Sequence, residues 1–406
     1  MKTIRLSILL SAIILAASST VYSQEYSVSP YSIFGIGDVY MTDGGRIAAM
    51  GGAGMALRGG RVLNTTNPAA ISALDSTTFL FDASASGKGS TFRSGGITQS
   101  NFNANFTKLA MGWRLTPKWV IGAFVQPYST VSYKIKDSEL LGSGAAVNTT
   151  YIGKGGINRF SITNSFNITK TLSAGFNSTF FFGGTEKTTT QTYTIKENSR
   201  TSRISFDFGL QYHKPVGAYE LGFALTGSYR NVLTFNNSRQ IYDDNYNLVR
   251  EDSKYTTQII LPESYGGGIS FSKGSRLMLD LDYKFQRWSL AEDPIFRMKF
   301  KDTHRVMGGA AFIPNEQHAT SYFGIIQYQA GFSVGNSYLN LNNHNAMEYE
   351  FFLGGAFPLR GGSLLNASIS YGKRGTTDYG LIREDYIRAT FTFSILERWF
   401  LKRLYD

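Results

Sequence analysis

The feature that most restricts this chain is an alternation of apolar and polar residues with period 2, renewed in segment after segment to the end. In residues 277–285, Leu277, Leu279, Leu281, Tyr283 and Phe285 share one face, and Met278, Asp280, Asp282 and Lys284 share the other. Residues 204–213 set Ile204, Phe206, Phe208, Leu210 and Tyr212 against Ser205, Asp207, Gly209, Gln211 and His213. Residues 221–230 and 387–395 repeat the pattern, the latter opposing Ile387, Ala389, Phe391, Phe393 and Ile395 to Arg388, Thr390, Thr392 and Ser394. Such segments read as β-strands with one apolar face. No amphipathic stretch of period 3.6 competes with them.

Connection lengths choose between a sandwich and a membrane barrel. Short turns stand at residues 116–118, 169–170, 215–217, 273–275 and 359–362, with a slightly longer one at 315–318. Long polar stretches alternate with them at 87–100, 137–156, 184–202, 234–261, 289–303, 334–345 and 375–385. A sandwich gives no reason for that rhythm; an outer-membrane barrel does, with tight periplasmic turns and long outer loops. Counting between connections predicts an all-β, antiparallel transmembrane barrel of about 14 strands, an even number as closure in this class requires. It is expected to run over residues 75–396. Aromatics make up 14% of the chain. Trp113, Trp119, Tyr128, Trp288 and Tyr371, near strand ends, fit the interfacial girdles of such barrels.

The N-terminus reads differently. Residues 1–23 carry Lys2 and Arg5, then an apolar run over 6–17, then small residues, the form of an export signal. Residues 24–74 are predicted to be a polar lead followed by a plug, or hatch, inside the lumen. Gly51 and Gly52 belong to a Gly- and Ala-rich run in which backbone can pack closely on a wall and reach φ > 0. Ile47, Met50, Met55 and Leu57 set it apart from a flexible linker. A phosphate-binding loop is disfavoured, because no Lys-Ser/Thr follows the glycines. Asn67-Pro68 marks a turn.

Composition removes several classes of function. The chain has no Cys, which excludes disulfides, thiolate metal sites and a lipidated N-terminal Cys. Its formal charge is +11, and loss of Lys2 and Arg5 with the signal would leave +9. Lys and Arg are scattered, so lipid headgroups or acidic partners fit better than nucleic acid. The four histidines, His213, His304, His318 and His344, have no metal-ligand spacing. No G-x-S-x-G elbow is present. No enzyme, cofactor or metal is expected.

Four motifs, in order, give the chain a family likeness: Asn67-Pro68-Ala69-Ala70 in the plug; Gln126-Pro127-Tyr128; Leu261-Pro262-Glu263-Ser264-Tyr265 followed by the 277–288 strand; and Asp302-Thr303-His304-Arg305. Together they resemble the FadL-type family of outer-membrane hydrophobic-compound channels over nearly the whole mature chain. The resemblance implies a multi-pass barrel in the outer membrane of a diderm bacterium, in contact with lipid and lipopolysaccharide. It implies uptake of a hydrophobic or amphipathic, long-chain fatty acid-like molecule. Gly51, Gly52, Asn67, Pro68 and Ala69 would form the hatch, and Pro127 and Tyr128 a kink that opens the wall sideways. Arg159, Asp207, Asp280, Asp282, Lys284 and Arg388 are the lumen-facing polar candidates, either in ion pairs or recognising a carboxylate.

Two departures stand out. Ser129 stands where many members have Gly. Residues 397–406 continue past the last strand as a basic, aromatic tail, with Arg398, Trp399, Phe400, Lys402 and Arg403 as candidates for docking outer-membrane or periplasmic proteins. The chain is also similar to PorV-type barrels, which implies an alternative: a non-conducting accessory or platform subunit of a secretion or protein-assembly complex.

Overall fold

The alternating segments form one antiparallel sheet wrapped on itself. The computed structural model describes residues 29–40, 44–76, 78–140, 146–293, 297–315, 321–341 and 344–398. The expected export signal, residues 1–23, therefore lies outside the described residues. The strands are β1 (Asp38–Val39), β2 (Thr78–Ser94), β3 (Ile97–Thr116), β4 (Trp119–Leu140), β5 (Ala146–Asn167) and β6 (Leu172–Thr190). They continue as β7 (Thr194–Val216), β8 (Tyr219–Ser228), β9 (Asn231–Tyr242), β10 (Leu248–Leu261), β11 (Ser264–Lys273) and β12 (Leu277–Gln286). The last are β13 (Thr303–Phe312), β14 (Gln327–Leu341), β15 (His344–Pro358), β16 (Leu364–Arg374) and β17 (Arg383–Arg398).

Two pairs of these are single staves with a break. β8 pairs with β11 and β9 with β10, so one long hairpin is interrupted at Tyr229 and Arg230 on one arm and at Pro262 and Glu263 on the other. Pro262 has no N–H for the ladder, which is reason enough for its arm to break there. β1 is a two-residue strip on β4. The rest close as a 14-strand barrel, sealed where β17 pairs with β2 from Arg383↔Arg93 to Arg398↔Thr78.

Burial runs opposite to that of a soluble protein. Phe206, Phe208, Leu210, Phe223, Leu225 and Phe391 are exposed on the outside. Ser205, Gln211 and Thr392, alternates of these on β7 and β17, are buried inside, as are Asp280 and Asp282 on β12. An apolar exterior round a polar interior is the lipid-facing arrangement of a membrane barrel. Among the described residues no helix is long and apolar enough to span a bilayer.

The stretches expected as long outer loops are mostly strand. β2 and β3 stay paired to Ser94↔Ile97, where Gly95 (φ +54°) and Gly96 (φ +81°) close a two-residue turn. Positive φ at both positions is the hairpin geometry that matches strand twist. β6 and β7 run to Thr190↔Thr194, and β9 and β10 to Tyr242↔Leu248. Beyond the bilayer both faces of a strand meet water, so the ladder persists after the alternation fades. Residues 289–293 and 297–302 do leave the sheet. They fold inward, burying Trp288, Ala291 and Phe300.

That infolding corrects two of the girdle expectations. Trp288 is fully buried and stacks on Tyr338 with centroids 4.4 Å apart. Tyr128 packs edge-on against Phe181 at 5.0 Å. Both belong to an apolar core, with Tyr31, Ile36, Leu233 and Phe235, that fills the long-stave end of the barrel.

Residues 44–76 lie in the lumen. The turn of 3-10 helix at Gly45–Met50 touches β13 to β17, and that at Ala70–Ala73 touches β4 to β6 on the far side. Small residues make this possible. A Cβ on Gly331 would sit 2.3 Å from the Met50 carbonyl carbon, and one on Gly51 2.3 Å from the Phe332 carbonyl oxygen. The two backbones are in direct contact.

Candidate functional site

The wall has a lateral slot. β3 and β4 pair from Thr116↔Trp119 to Leu109↔Val125 and no further. Above that level β3 continues on β2 and β4 continues on β5. Pro127 and Tyr128 sit where the pairing stops. Pro127 lies opposite Asn158 and Ser129 opposite Ile157, which leaves Tyr128 as the extra residue of a bulge.

The N-terminal lead covers this edge. Asp38 pairs with Thr130 and Val39 with Ser129, and the Tyr40 N–H donates to the Tyr128 carbonyl at 2.9 Å. Asn105 Nδ2 on β3 donates to the Tyr40 hydroxyl at 3.2 Å, so this ring bridges the slot. Arg374 holds Asp38 at 2.6 Å.

Behind the slot is a chamber of about 90 Å³, lined by Lys88, Arg305, Glu348, Glu350, Arg374 and Arg388. Its charges are matched. Arg305 holds Glu348 at 2.6 Å, Arg388 holds Glu350 at 3.5 Å, and Lys88 holds Glu384 at 2.6 Å. The Tyr386 hydroxyl donates to Glu348 and Glu350, 3.0 Å from each. Of the six predicted lumen charges, Arg388 belongs to this network. The others in it were missed. Their signal was present as Glu348 and Glu350, spaced by two opposite Met347, Tyr349 and Phe351 on one strand.

A second chamber, of about 160 Å³, joins other predicted residues: Gly52, Pro68, Pro127, Tyr128, Arg159, Asp207 and Lys284 line it. Asp207 accepts from Thr179 at 3.4 Å and faces Arg159 and Lys284. Among the described residues these three form no ion pair within 4 Å.

Asp280 and Asp282 are elsewhere, buried beneath the lumen segment. Asp282 accepts the Gly54 and Met55 N–H groups at 2.6 and 2.8 Å. It fastens backbone to wall.

Asn67 does the same on β7. It is fully buried; Nδ2 donates to the Met55 and Leu210 carbonyls at 2.9 and 3.1 Å, and Oδ1 accepts the Ala69 N–H at 2.9 Å. The last bond closes an Asx turn over Pro68. Ser165 Oγ donates to the Ala69 carbonyl at 2.9 Å, and Gly175 and Gly209 leave room for Pro68 and Asn67. Of the tail candidates, Arg398 ends β17 opposite Thr78; Trp399, Phe400, Lys402 and Arg403 lie outside the described residues.

The fold is that of known channels. TbuX, a toluene transporter of Ralstonia pickettii, superposes with a TM-score of 0.60 at 13% identity, over 88% of this chain and 99% of its own. A Pseudomonas aeruginosa FadL homologue gives 0.58 at 12%, over 89% and 100%. CymD, a monoaromatic hydrocarbon channel, gives 0.56 at 12%, over 89% and 98%. Identities this low speak for architecture alone. The barrel fold is shared with proteins named as transporters and channels. No curated protein matches the sequence. A family model described as BamG matches residues 4–406, and the chain belongs to the BamG family.

Proposed function

We propose that this protein is a non-conducting barrel, an accessory or platform subunit of an outer-membrane secretion or protein-assembly complex. The observation that carries this reading is the state of the lumen. Residues 44–76 cross it, an apolar core fills its outer end, and between them stand chambers of about 90 and 160 Å³ rich in charge. Ligand sites for apolar molecules are mostly apolar and run to roughly 300 Å³ or more. The lumen segment then works as a fixed plug. Membership of the BamG family points to protein partners as well.

Mass spectrometry of pulldowns from native membranes tests this. Stoichiometric protein partners and a lumen free of apolar ligand are expected, with no conductance in planar bilayers. An apolar molecule retained through purification, together with flux into liposomes, would overturn it.

One observation favours the second reading, uptake of a hydrophobic or amphipathic molecule. The slot at Pro127 opens beside the chamber that holds Arg159 and Lys284, where a carboxylate has two cations to meet. On that reading Pro127→Val impairs passage while the barrel stays folded. Unchanged uptake in that variant would remove the gate.

A further inference from the structure

The largest cavity described, about 930 Å³, opens at the short-turn end, the periplasmic end in barrels of this class. Its floor is the lumen segment, with Arg46, Arg58 and Arg61. That floor also carries Ile47 and Val62, and the walls include Met278, Ile313 and Ile325.

Basic side chains predominate at this end. Lys118, Lys170, Lys214, Lys273 and Arg276 are all exposed on the short turns or the strand ends beside them. Asp82 is held by Lys108 at 3.2 Å and Asp75 lies 3.8 Å from Arg61, while Glu220 lies 2.9 Å from the His213 ring. Arg58 is the telling group. It is half-buried, and burial pulls its guanidinium below the usual arginine range. Its one hydrogen bond among the described residues is to Asn167 Oδ1 at 3.3 Å, and no carboxylate lies within 4 Å of it. Glu220 acts on it only from beyond ion-pair distance, and a desolvated cation that faces a cavity with no carboxylate in contact can take an anion from outside.

We propose that this vestibule receives an acidic, partly apolar, extended segment of a periplasmic partner protein, with its carboxylates on Arg58 and Arg61 and its apolar side chains on Val62, Ile313 and Ile325. The inference rests on the platform reading and names the surface that reading requires. A protein segment fits better than lipid, because Arg58 and Arg61 stand on the floor inside the ring of strands, away from the headgroups around it. It fits better than a small free anion, because the apolar walls also need cover.

The test uses the whole barrel in nanodiscs and a fluorescent peptide of alternating Glu and Leu, with an alternating Lys and Leu peptide as control. The Glu peptide is expected to bind, to weaken as salt rises, and to lose at least tenfold in affinity in the Arg58→Gln/Arg61→Gln double variant. The Lys peptide is expected not to bind. Heat-resistant migration on gels confirms that the variant is folded; if it is not, single Arg61→Gln, at an exposed position, replaces it with a loss of about threefold expected. Equal binding by wild type and variant would overturn the proposal, as would binding that appears only with anionic lipid and survives the double variant. Native pulldowns separate the two ideas. Partners retained by a double variant that no longer binds the peptide would sink the vestibule and leave the platform standing; no partner on the wild type would sink the platform itself.

Discussion

Two regions of this barrel hold inserted chain against its wall, and they do it by different physics. Under β13 and β14 the lumen segment is held by shape. Met50 and Gly51 press on Gly309 and Gly331 with no side chain between the backbones. Asp282 and Asn67 add buried hydrogen bonds on two sides. At the slot between β3 and β4 the lead is held by two residues of ladder, a bridging tyrosine and the pair of Asp38 with Arg374, and behind the slot by Tyr31 and Ile36 in the apolar core. A steric fit has no intermediate state, because backbone cannot be displaced by an ångström without moving the wall. A short polar clasp can open alone. On this contrast the lumen segment is expected to stay fixed and any movement to belong to the lead.

The strongest way to break this contrast is to put a side chain between the two backbones. Gly331→Val places Cβ 2.3 Å from the Met50 carbonyl carbon and 2.4 Å from the Gly51 nitrogen. A loss of more than about 4 kcal/mol is expected, the range reserved for overpacking with no room to relax. Heat-resistant migration on gels would disappear well below the wild-type temperature. A variant as stable as wild type would mean the lumen segment floats. Asn67→Ala comes next. It removes two donors and one acceptor from a fully buried site, at a cost of about 2–4 kcal/mol. Thermal denaturation in detergent measures it, and a change under 1 kcal/mol would deny Asn67 its anchoring role.

The sequence carried the barrel because alternation is a local signal, forced wherever one face of a strand meets lipid and the other water. It failed where that asymmetry ends. Residues 184–202 read as loop because Lys187, Glu197 and Thr189 are polar on both faces, although β6 and β7 remain paired there. Trp288 read as a girdle residue, since nothing local says that the chain after β12 turns inward. Asn67-Pro68-Ala69 was legible as a turn. That it seats on Gly175 and Gly209 was not, because those contacts span more than a hundred residues. The same holds for the charges: Arg305 and Glu348 lie on strands that are not neighbours, so no ladder pattern pairs them.

The smallest global effect is expected at the clasp, and it sharpens the contrast most. Asp38→Asn removes one carboxylate from a pair that is largely buried. Loss of one partner from such a pair ordinarily costs several kcal/mol, because the other charge is stranded. Arg374 is not stranded, since Glu348 and Glu384 also face it. The melting transition is expected to move by less than about 1 kcal/mol, while amide exchange over residues 29–40 rises about tenfold, a local cost of ~1.4 kcal/mol. Protection unchanged at the lead would show that Tyr40 and the apolar packing of Tyr31 and Ile36 hold it without the ion pair. A fall in global stability as large as that of Asn67→Ala would show that lead and lumen segment unfold together, and the distinction between a shape-locked region and a clasped one would be lost.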